Sequence, residues 1–77
     1  MVDVTIPEEF WDDDSEGSIS SWFFAEGDRV KLGDLIAEVT NEKAASELIA
    51  PASGTLKIVI SAEIPVRRGQ LVARIAD

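Results

Sequence analysis

Short stretches in which apolar and polar residues alternate recur along the chain. Residues 2–6 alternate cleanly and stop at Pro7, and residues 55–60 and 71–75 carry strand-like patterns in the second half. A period of two is typical of a strand with one buried face, and proline rarely continues a strand. No stretch has convincing helical periodicity. The pattern therefore predicts an all-β chain of about eight short strands.

Turns rich in glycine and aspartate separate the other predicted strands. Residues 17–24 form a strand with several aromatic and β-branched residues, in which we expect Trp22 to belong to the core. The turns at residues 26–28 and 32–34 enclose a very short strand at residues 29–31.

The pattern of the first half of the chain recurs in the second half. Gly17-Ser18-Ile19 matches Gly54-Thr55-Leu56, and Val30-x-x-Gly33 matches Val66-x-x-Gly69. Neither half can bury its apolar face alone, so the repeat predicts two sheets packed with approximate two-fold symmetry. In that arrangement the first strand corresponds to the strand after Lys43. We therefore expect the loop that leaves the first strand to lie near Lys43.

The centre of the chain is predicted to be a hairpin with a four-residue turn at residues 41–44. Asn41 suits the first corner of a type I turn, where its side chain bonds the backbone two residues on. Glu42 and Lys43 then occupy the central corners, which need no glycine in this turn type. Such a turn presents one primary amine, that of Lys43, to solvent. An exposed turn lysine is by itself usually just solvated.

The residues beside this turn alternate as in two strands, so each strand is predicted to have two distinct faces. In the strand before it, Leu35, Ala37 and Val39 are expected to share a face. In the strand after it, Ser46 and Leu48 are expected to share one face, and Glu47 and Ile49 the other.

Composition narrows the classes of function. One domain is predicted from the 77 residues, which include no cysteine and no histidine. This excludes disulfides, thiolate nucleophiles and the usual general base, and the absence of cysteine fits a reducing cytoplasm. No apolar run is long enough to span a membrane, and no export leader is evident. The net charge of −8 predicts repulsion from nucleic acid and anionic membranes.

Negative charge is concentrated in residues 1–28, which contain nine of the fifteen acidic side chains and no Lys or Arg. Residues 8–16, the acidic loop, are predicted to lie at the surface. Residues 12–17 superficially match the start of a calcium-binding EF-hand loop. The glutamate required at its twelfth position would fall on Phe23, so we predict no metal site. The aromatic residues of the loop either fold back on the core or form a recognition edge. Of the two tryptophans, we expect Trp11 to lie nearer the surface. The candidate partner-recognition residues are Glu8, Glu9, Phe10, Trp11, Asp12, Asp13 and Asp14.

In the order and spacing of its motifs, the chain resembles the lipoyl domain of the dihydrolipoamide acyltransferase component of 2-oxoacid dehydrogenase complexes, a branch of the biotinyl/lipoyl attachment family. No single motif is specific, but together they cover essentially the whole chain. The matching segments are Glu16-Gly17-x-Ile19, Glu26-Gly27-Asp28-x-Val30, Gly33-x-x-Ile36, Thr40-Asn41-Glu42-Lys43-Ala44, Glu47-Leu48-x-Ala50-Pro51-Ala52-Ser53-Gly54 and Gly69-Gln70-Leu71.

The resemblance implies a barrel-sandwich hybrid, a flattened barrel of two four-stranded antiparallel sheets. It implies that lipoate is amide-linked to Lys43, and that Asn41, Glu42 and Ala44 form the turn that modifying and acylating enzymes recognise. The domain then is not a catalyst but carries acyl groups and electrons. Its implied partners are a lipoate protein ligase or lipoyl transferase, a thiamine-diphosphate-dependent decarboxylase, the acyltransferase core and dihydrolipoamide dehydrogenase.

The chain departs from this family in two places. Glu42 stands immediately before the lysine, where the family usually has aspartate, and it carries the same negative charge. The acidic loop is richer in aromatic and acidic residues than is common in the family.

Biotinyl relatives bracket their lysine with methionines, whereas Glu42 and Ala44 stand here, which argues against biotin. A biotin carrier, a glycine-cleavage-type carrier and an unmodified interaction module are the alternatives.

Overall fold

Eight strands and one 3₁₀ turn make up the computed structural model, which describes residues 1–77. The all-β prediction with about eight strands is confirmed, and a single 3₁₀ turn, Glu8–Phe10, opens the acidic loop. No helix in the structure has the length and apolar character needed to span a membrane. The strands are β1 (Val2–Thr5), β2 (Gly17–Trp22), β3 (Arg29–Val30), β4 (Leu35–Thr40), β5 (Ala45–Ile49), β6 (Gly54–Ile58), β7 (Pro65–Val66) and β8 (Leu71–Ala76).

The strands form two four-stranded antiparallel sheets, with the orders β1-β8-β6-β3 and β5-β4-β2-β7. Replacing each strand by its counterpart in the other half of the chain converts one order into the other. The internal repeat thus corresponds to a quasi-two-fold axis, as predicted. Under this symmetry β1 is the counterpart of β5, the strand that follows Lys43.

Glycines stand at equivalent positions in the two halves because backbone from a neighbouring strand approaches them closely. A Cβ atom on Gly17 would lie 2.6 Å from the carbonyl oxygen of Thr40, and one on Gly54 would collide with the carbonyl oxygen of Ala76. Real Cβ atoms do not approach backbone oxygens so closely, so each site excludes a side chain. Glycine therefore recurs at these two positions because no side chain fits there, and not only because of backbone conformation.

The core between the sheets consists of fifteen buried apolar side chains, and no polar or charged residue is buried. Isoleucine and valine dominate it, as expected for strands whose branched side chains pack well on a pleated surface. The core residues are Val4, Ile6, Trp11, Ile19, Val30, Ile36, Ala37, Val39, Leu48, Ala50, Leu56, Val66, Val72, Ala73 and Ile75.

The positions of the two tryptophans are the reverse of the prediction. Trp11 is 7% exposed and belongs to the core, whereas Trp22 is half-buried against its edge and donates its indole N–H to the Ile60 carbonyl at 3.0 Å. Trp11 is buried because the acidic loop folds back and sets its ring over Gly17, which has no side chain to fill that space. In β2, a register shift between Ile19 and Ser21 interrupts the inward alternation before Trp22.

The prediction that Leu35, Ala37 and Val39 of β4 share one face is also only partly correct. Ala37 and Val39 point into the core, but Leu35 is exposed and Ile36 is fully buried. The pairing with β5 shifts register between Leu35 and Ala37, so two successive residues face inward. An extra residue of this kind is a β-bulge, which simple alternation cannot anticipate.

Candidate functional site

The β4–β5 turn, residues 41–44, is held by the backbone and side chain of its first residue. The backbone N–H of Asn41 donates to the carbonyl of Ala44 at 2.9 Å. Its side-chain oxygen accepts hydrogen bonds from the backbone N–H groups of Lys43, at 3.0 Å, and Ala44, at 2.9 Å. The predicted bond to the backbone two residues on is therefore present. None of the turn residues has a positive φ, so no glycine is required.

The Lys43 side chain projects from this turn and is about half exposed. Its ammonium group forms an ion pair and hydrogen bond with the carboxylate of Asp13. The hydrogen bond to Asp13, followed by the charge of that carboxylate, raises the pKa of Lys43 above its ordinary value. The negative charges of Asp12 and Glu42 act in the same direction. The amine is thus accessible, and the contact with Asp13 stabilises its charged form.

Asp13 is itself held in place by several hydrogen bonds. Its Oδ1 atom accepts a bond from the backbone N–H of Ser15 at 3.0 Å and another from the Ser15 hydroxyl. The bond from Lys43, and then those from Ser15, lower the pKa of Asp13 well below its usual range. The Asn41 side-chain amide donates to the Ser15 hydroxyl at 3.4 Å, a long bond that joins the loop to the turn. The predicted proximity of the acidic loop and Lys43 is confirmed.

Trp11 anchors the acidic loop from beneath. Its indole N–H donates to the Ser15 carbonyl at 2.9 Å while its ring fills the space over Gly17. The prediction that Trp11 lies nearer the surface is wrong, so its side chain cannot form a recognition edge. It instead fixes the part of the loop that carries Asp13.

Two arginines of the β7–β8 turn hold the loop from its other side. Arg68 donates to the carbonyls of Trp11, at 3.0 Å, and Glu8, at 3.2 Å, and lies 3.8 Å from the Asp14 carboxylate. Arg67 donates to the Asp14 carbonyl at 3.2 Å. Sequence analysis missed both residues. The sequence signal that could have identified them is the adjacent pair Arg67 and Arg68, because the acidic loop contains no basic residue of its own.

The other predicted recognition residues lie in different surroundings. Glu9 and Phe10 line a surface groove of about 340 Å³ between β1 and β5, and Phe10 packs partly against the core. The Asp14 carboxylate lies 3.8 Å from Arg68 and forms no ion pair with Lys43. Of the seven predicted residues, the structure brings Asp13 into contact with Lys43. No cluster of three or more carboxylates is arranged to bind a metal ion.

The Lys43 turn and the chain termini lie far apart. β8 begins at Leu71, just after the turn that holds the acidic loop, and its end pairs with the start of β1 through Ile75 and Val2. At about 3.3 Å per residue, the six residues of β8 span about 15–20 Å. The longest dimension of the molecule is 34 Å. Lys43 therefore projects from the end opposite the termini.

Comparison with known families finds one matching model, Biotin_lipoyl, described as "Biotin-requiring enzyme", over residues 4–75. The dihydrolipoyllysine-residue acetyltransferase component of the pyruvate dehydrogenase complex of Rhizobium meliloti is 48% identical over 48 residues, or 61% of this chain. The corresponding component of Corynebacterium glutamicum is 34% identical over 77 residues, or 99% of this chain. The chain spans 11% of the length of each of these relatives.

Among solved structures, the lipoyl domain of the 2-oxoglutarate dehydrogenase complex from Azotobacter vinelandii superposes with a TM-score of 0.78. The match covers 100% of this chain and 98% of that domain at 26% sequence identity. The flattened barrel of two four-stranded sheets that the sequence implied is therefore the fold observed.

Proposed function

The chain belongs to the Biotin_lipoyl family of attachment domains, and we propose that it acts as a lipoyl carrier domain with lipoate joined to Lys43 by an amide. The observation that carries this proposal is the exposed primary amine of Lys43, presented by a turn that Asn41 holds in shape. Lys31 and Lys57 lie elsewhere, the latter within β6 and 3.9 Å from Glu26. Neither stands at the tip of a hairpin.

The residues around Lys43 fit a long covalent group. Half of the Lys43 side chain is exposed, and the groove between β1 and β5 contains no residue of the turn. An attached arm would therefore extend into solvent from the end of the molecule. The family accommodates lipoate or biotin. Glu42 and Ala44 on either side of the lysine, together with relatives named as dihydrolipoyllysine-residue acetyltransferase components, favour lipoate.

When bound, the lipoyl group would supply a disulfide able to take up and release acyl groups and electrons. The chain itself positions the attached arm. The turn fixes the Lys43 backbone, amide formation removes the positive charge, and the distance from the termini lets the tip reach into another protein. A tethered arm meets its target as an effectively intramolecular reactant. We propose that the domain itself catalyses no reaction, since the chain contains no histidine or cysteine to act as the usual general base or as a thiolate nucleophile.

We propose as partners a lipoate protein ligase or lipoyl transferase, a thiamine-diphosphate-dependent decarboxylase, an acyltransferase core and dihydrolipoamide dehydrogenase, in the cytoplasm. The names of the relatives support membership of a 2-oxoacid dehydrogenase complex. The turn residues Asn41, Glu42 and Ala44 supply the recognition surface for the first two partners. The acidic loop beside Lys43 adds a negative field that suits a partner with a basic rim.

Expression with a lipoate ligase, followed by intact mass measurement and peptide mapping, tests the proposal. We expect one lipoyl adduct, on Lys43, and no adduct in the Lys43→Gln variant. A parallel expression with a biotin ligase distinguishes the biotin alternative, which the description of the family model keeps open. Modification by the biotin ligase alone, or a lipoyl adduct on Lys57, would overturn the proposal.

A further inference from the structure

We propose that Asp13 holds the ammonium group of unmodified Lys43, so that the nitrogen can lose its proton and react only when this contact opens. We call this contact the latch. The inference rests on the proposed function in one respect, namely that Lys43 is the residue to be acylated. It assigns Asp13 a positioning role in the modification of the domain, distinct from any recognition of the finished carrier.

Asp13 is not a freely moving surface carboxylate. One of its oxygens is occupied by the two bonds from Ser15, and the other accepts the Lys43 ammonium. The backbone at Ser15 is in turn fixed by the indole N–H of the buried Trp11. The carboxylate is thus aimed at Lys43 by a chain of contacts that ends in the core.

Lys43 is also held at its backbone, through the Asn41 side chain. Most exposed ion pairs are weak because two long, flexible side chains must be ordered to form them. Here the short side chain of Asp13 and the backbone of Lys43 are already ordered by other contacts. Only the lysine side chain loses freedom, so the pair forms at a smaller entropic cost than an ordinary surface pair.

The contact between Asp13 and Lys43 affects amide formation, because the nitrogen must change its protonation state before it reacts. The ammonium must first lose a proton, because only the free amine has a lone pair. The lone pair then attacks the carbonyl carbon of an activated acyl donor, such as a mixed carboxylic–phosphoric anhydride. A nitrogen–carbon bond forms, the carbon–oxygen bond to the phosphate leaving group breaks, and nitrogen loses a second proton. A contact that stabilises the ammonium opposes the first of these steps.

Three carboxylates face Lys43: Asp13 by direct contact, and Asp12 and Glu42 through their charge. All three favour the ammonium, but only Asp13 also bonds it directly. Once the nitrogen is acylated, its charge is gone and Asp13 loses its counter-cation. The modified tip therefore carries one more unit of net negative charge than the unmodified tip.

Chemical acetylation tests the latch without any ligase. The folded protein is treated with a small water-soluble acetyl ester from about pH 7 to pH 10, around the range where lysine amines titrate. Peptide mass spectrometry then follows Lys43, Lys31 and Lys57 in the same sample. Asp13→Asn is the test variant. Asp14→Asn is the matched control, because it removes the same charge from a carboxylate that lies near Arg68 instead.

We expect Asp13→Asn to raise the acetylation rate of Lys43 by about twofold to fivefold, the factor that corresponds to the coupling of an exposed ion pair. The pH profile of Lys43 should move to lower pH, while Lys31 and Lys57 remain unchanged. Asp14→Asn should have a clearly smaller effect. Equal Lys43 rates in wild type and Asp13→Asn, or equal increases in the two variants, would overturn the latch.

A second measurement needs no variant and so does not depend on how Asp13→Asn folds. Added salt screens an exposed pair, so in the wild type it should raise the rate of Lys43 relative to that of Lys31. An unchanged ratio contradicts the proposal. These results are independent of the proposed function, because chemical acetylation needs no ligase. Failure of lipoylation would refute lipoate carriage without affecting the acetylation data.

Discussion

The carboxylate of Asp13 contacts the ammonium of Lys43, although 30 positions separate the two residues in the chain. The quasi-two-fold relation between β1 and β5 brings them together, because the loop after β1 and the turn before β5 lie at the same end of the sandwich. The site is therefore composed of two segments: a turn that presents the amine and a loop that supplies its counter-charge.

Replacing Lys43 with glutamine should abolish lipoylation and leave the fold intact. The bonds that shape the turn come from Asn41 and involve the backbone of residue 43, so they do not need the lysine side chain. Intact mass after expression with the ligase gives the modification, and thermal unfolding gives the stability. A large loss of stability would mean that the Asp13 contact supports the fold.

Replacing Asn41 with alanine should destabilise the domain by about 1–2 kcal/mol, since two hydrogen bonds from turn N–H groups lose their acceptor. Lipoylation should slow, because the backbone that carries Lys43 is no longer fixed. Asn41→Asp retains an acceptor oxygen and is the matched control. Denaturant unfolding and the rate of modification are the measurements. Equal stability of the two variants would argue against the role of the Asn41 side chain.

Replacing Trp11 with alanine should cost about 3–5 kcal/mol, because it leaves a large cavity over Gly17 and frees the loop. Trp22→Ala should cost less, since Trp22 is only half-buried. Acrylamide quenching of single-tryptophan variants should show greater protection of Trp11. Stronger quenching of Trp11 than of Trp22 would indicate that the acidic loop is open in solution.

Replacing Asp12, Asp13 and Asp14 together with asparagine should slow reductive acylation of the lipoylated domain by its decarboxylase. The loop lies beside Lys43, and charges at the rim of an interface act mainly on the rate of association. Salt should affect the variant less than the wild type, since such charges are screened within about 8–10 Å. Stopped-flow or steady-state rates of reductive acylation at low salt, compared between the variant and the wild type, test this prediction. An unchanged rate there would leave the loop with no part in steering.

The pair of Asp13 and Lys43 should make stability depend on pH at both ends of the range. The folded-state pKa of Asp13 is lowered, so its contribution is present above the unfolded value of about 3.9 and is lost as the pH falls through the folded value. The folded-state pKa of Lys43 is raised, so its contribution is present below about 10.4 and is lost as the pH rises through the folded value.

Melting temperatures of wild type and Asp13→Asn, measured from acid to alkaline pH, test this dependence. Their difference should be constant around neutrality and shrink at both extremes. Asp14→Asn serves as the control for the removal of one charge. A difference that stays the same in strong acid would show that Asp13 is not ionised in contact with Lys43.

The sequence by itself determined the features that arise between near neighbours. Alternation over a few residues predicted the strands, and Asn41 followed by two polar residues predicted the turn that exposes Lys43. These features depend on backbone geometry and on bonds within a few positions, so they can be derived from local residue types. The repeat extended the prediction further, because symmetry relates distant segments and placed the acidic loop near the turn.

Only the tertiary structure decided how distant segments fit against each other. Trp11 is buried because Gly17 leaves space beneath it, and Arg68 bonds the acidic loop because the β7–β8 turn packs beside it. The bulge in β4 buries Ile36 beside Ala37, although alternation placed these two residues on opposite faces. Each of these outcomes depends on strand register and on the volume available between packed segments. Neither quantity is a property of one short stretch of residues, so the latch of Asp13 on Lys43 became visible only in the folded chain.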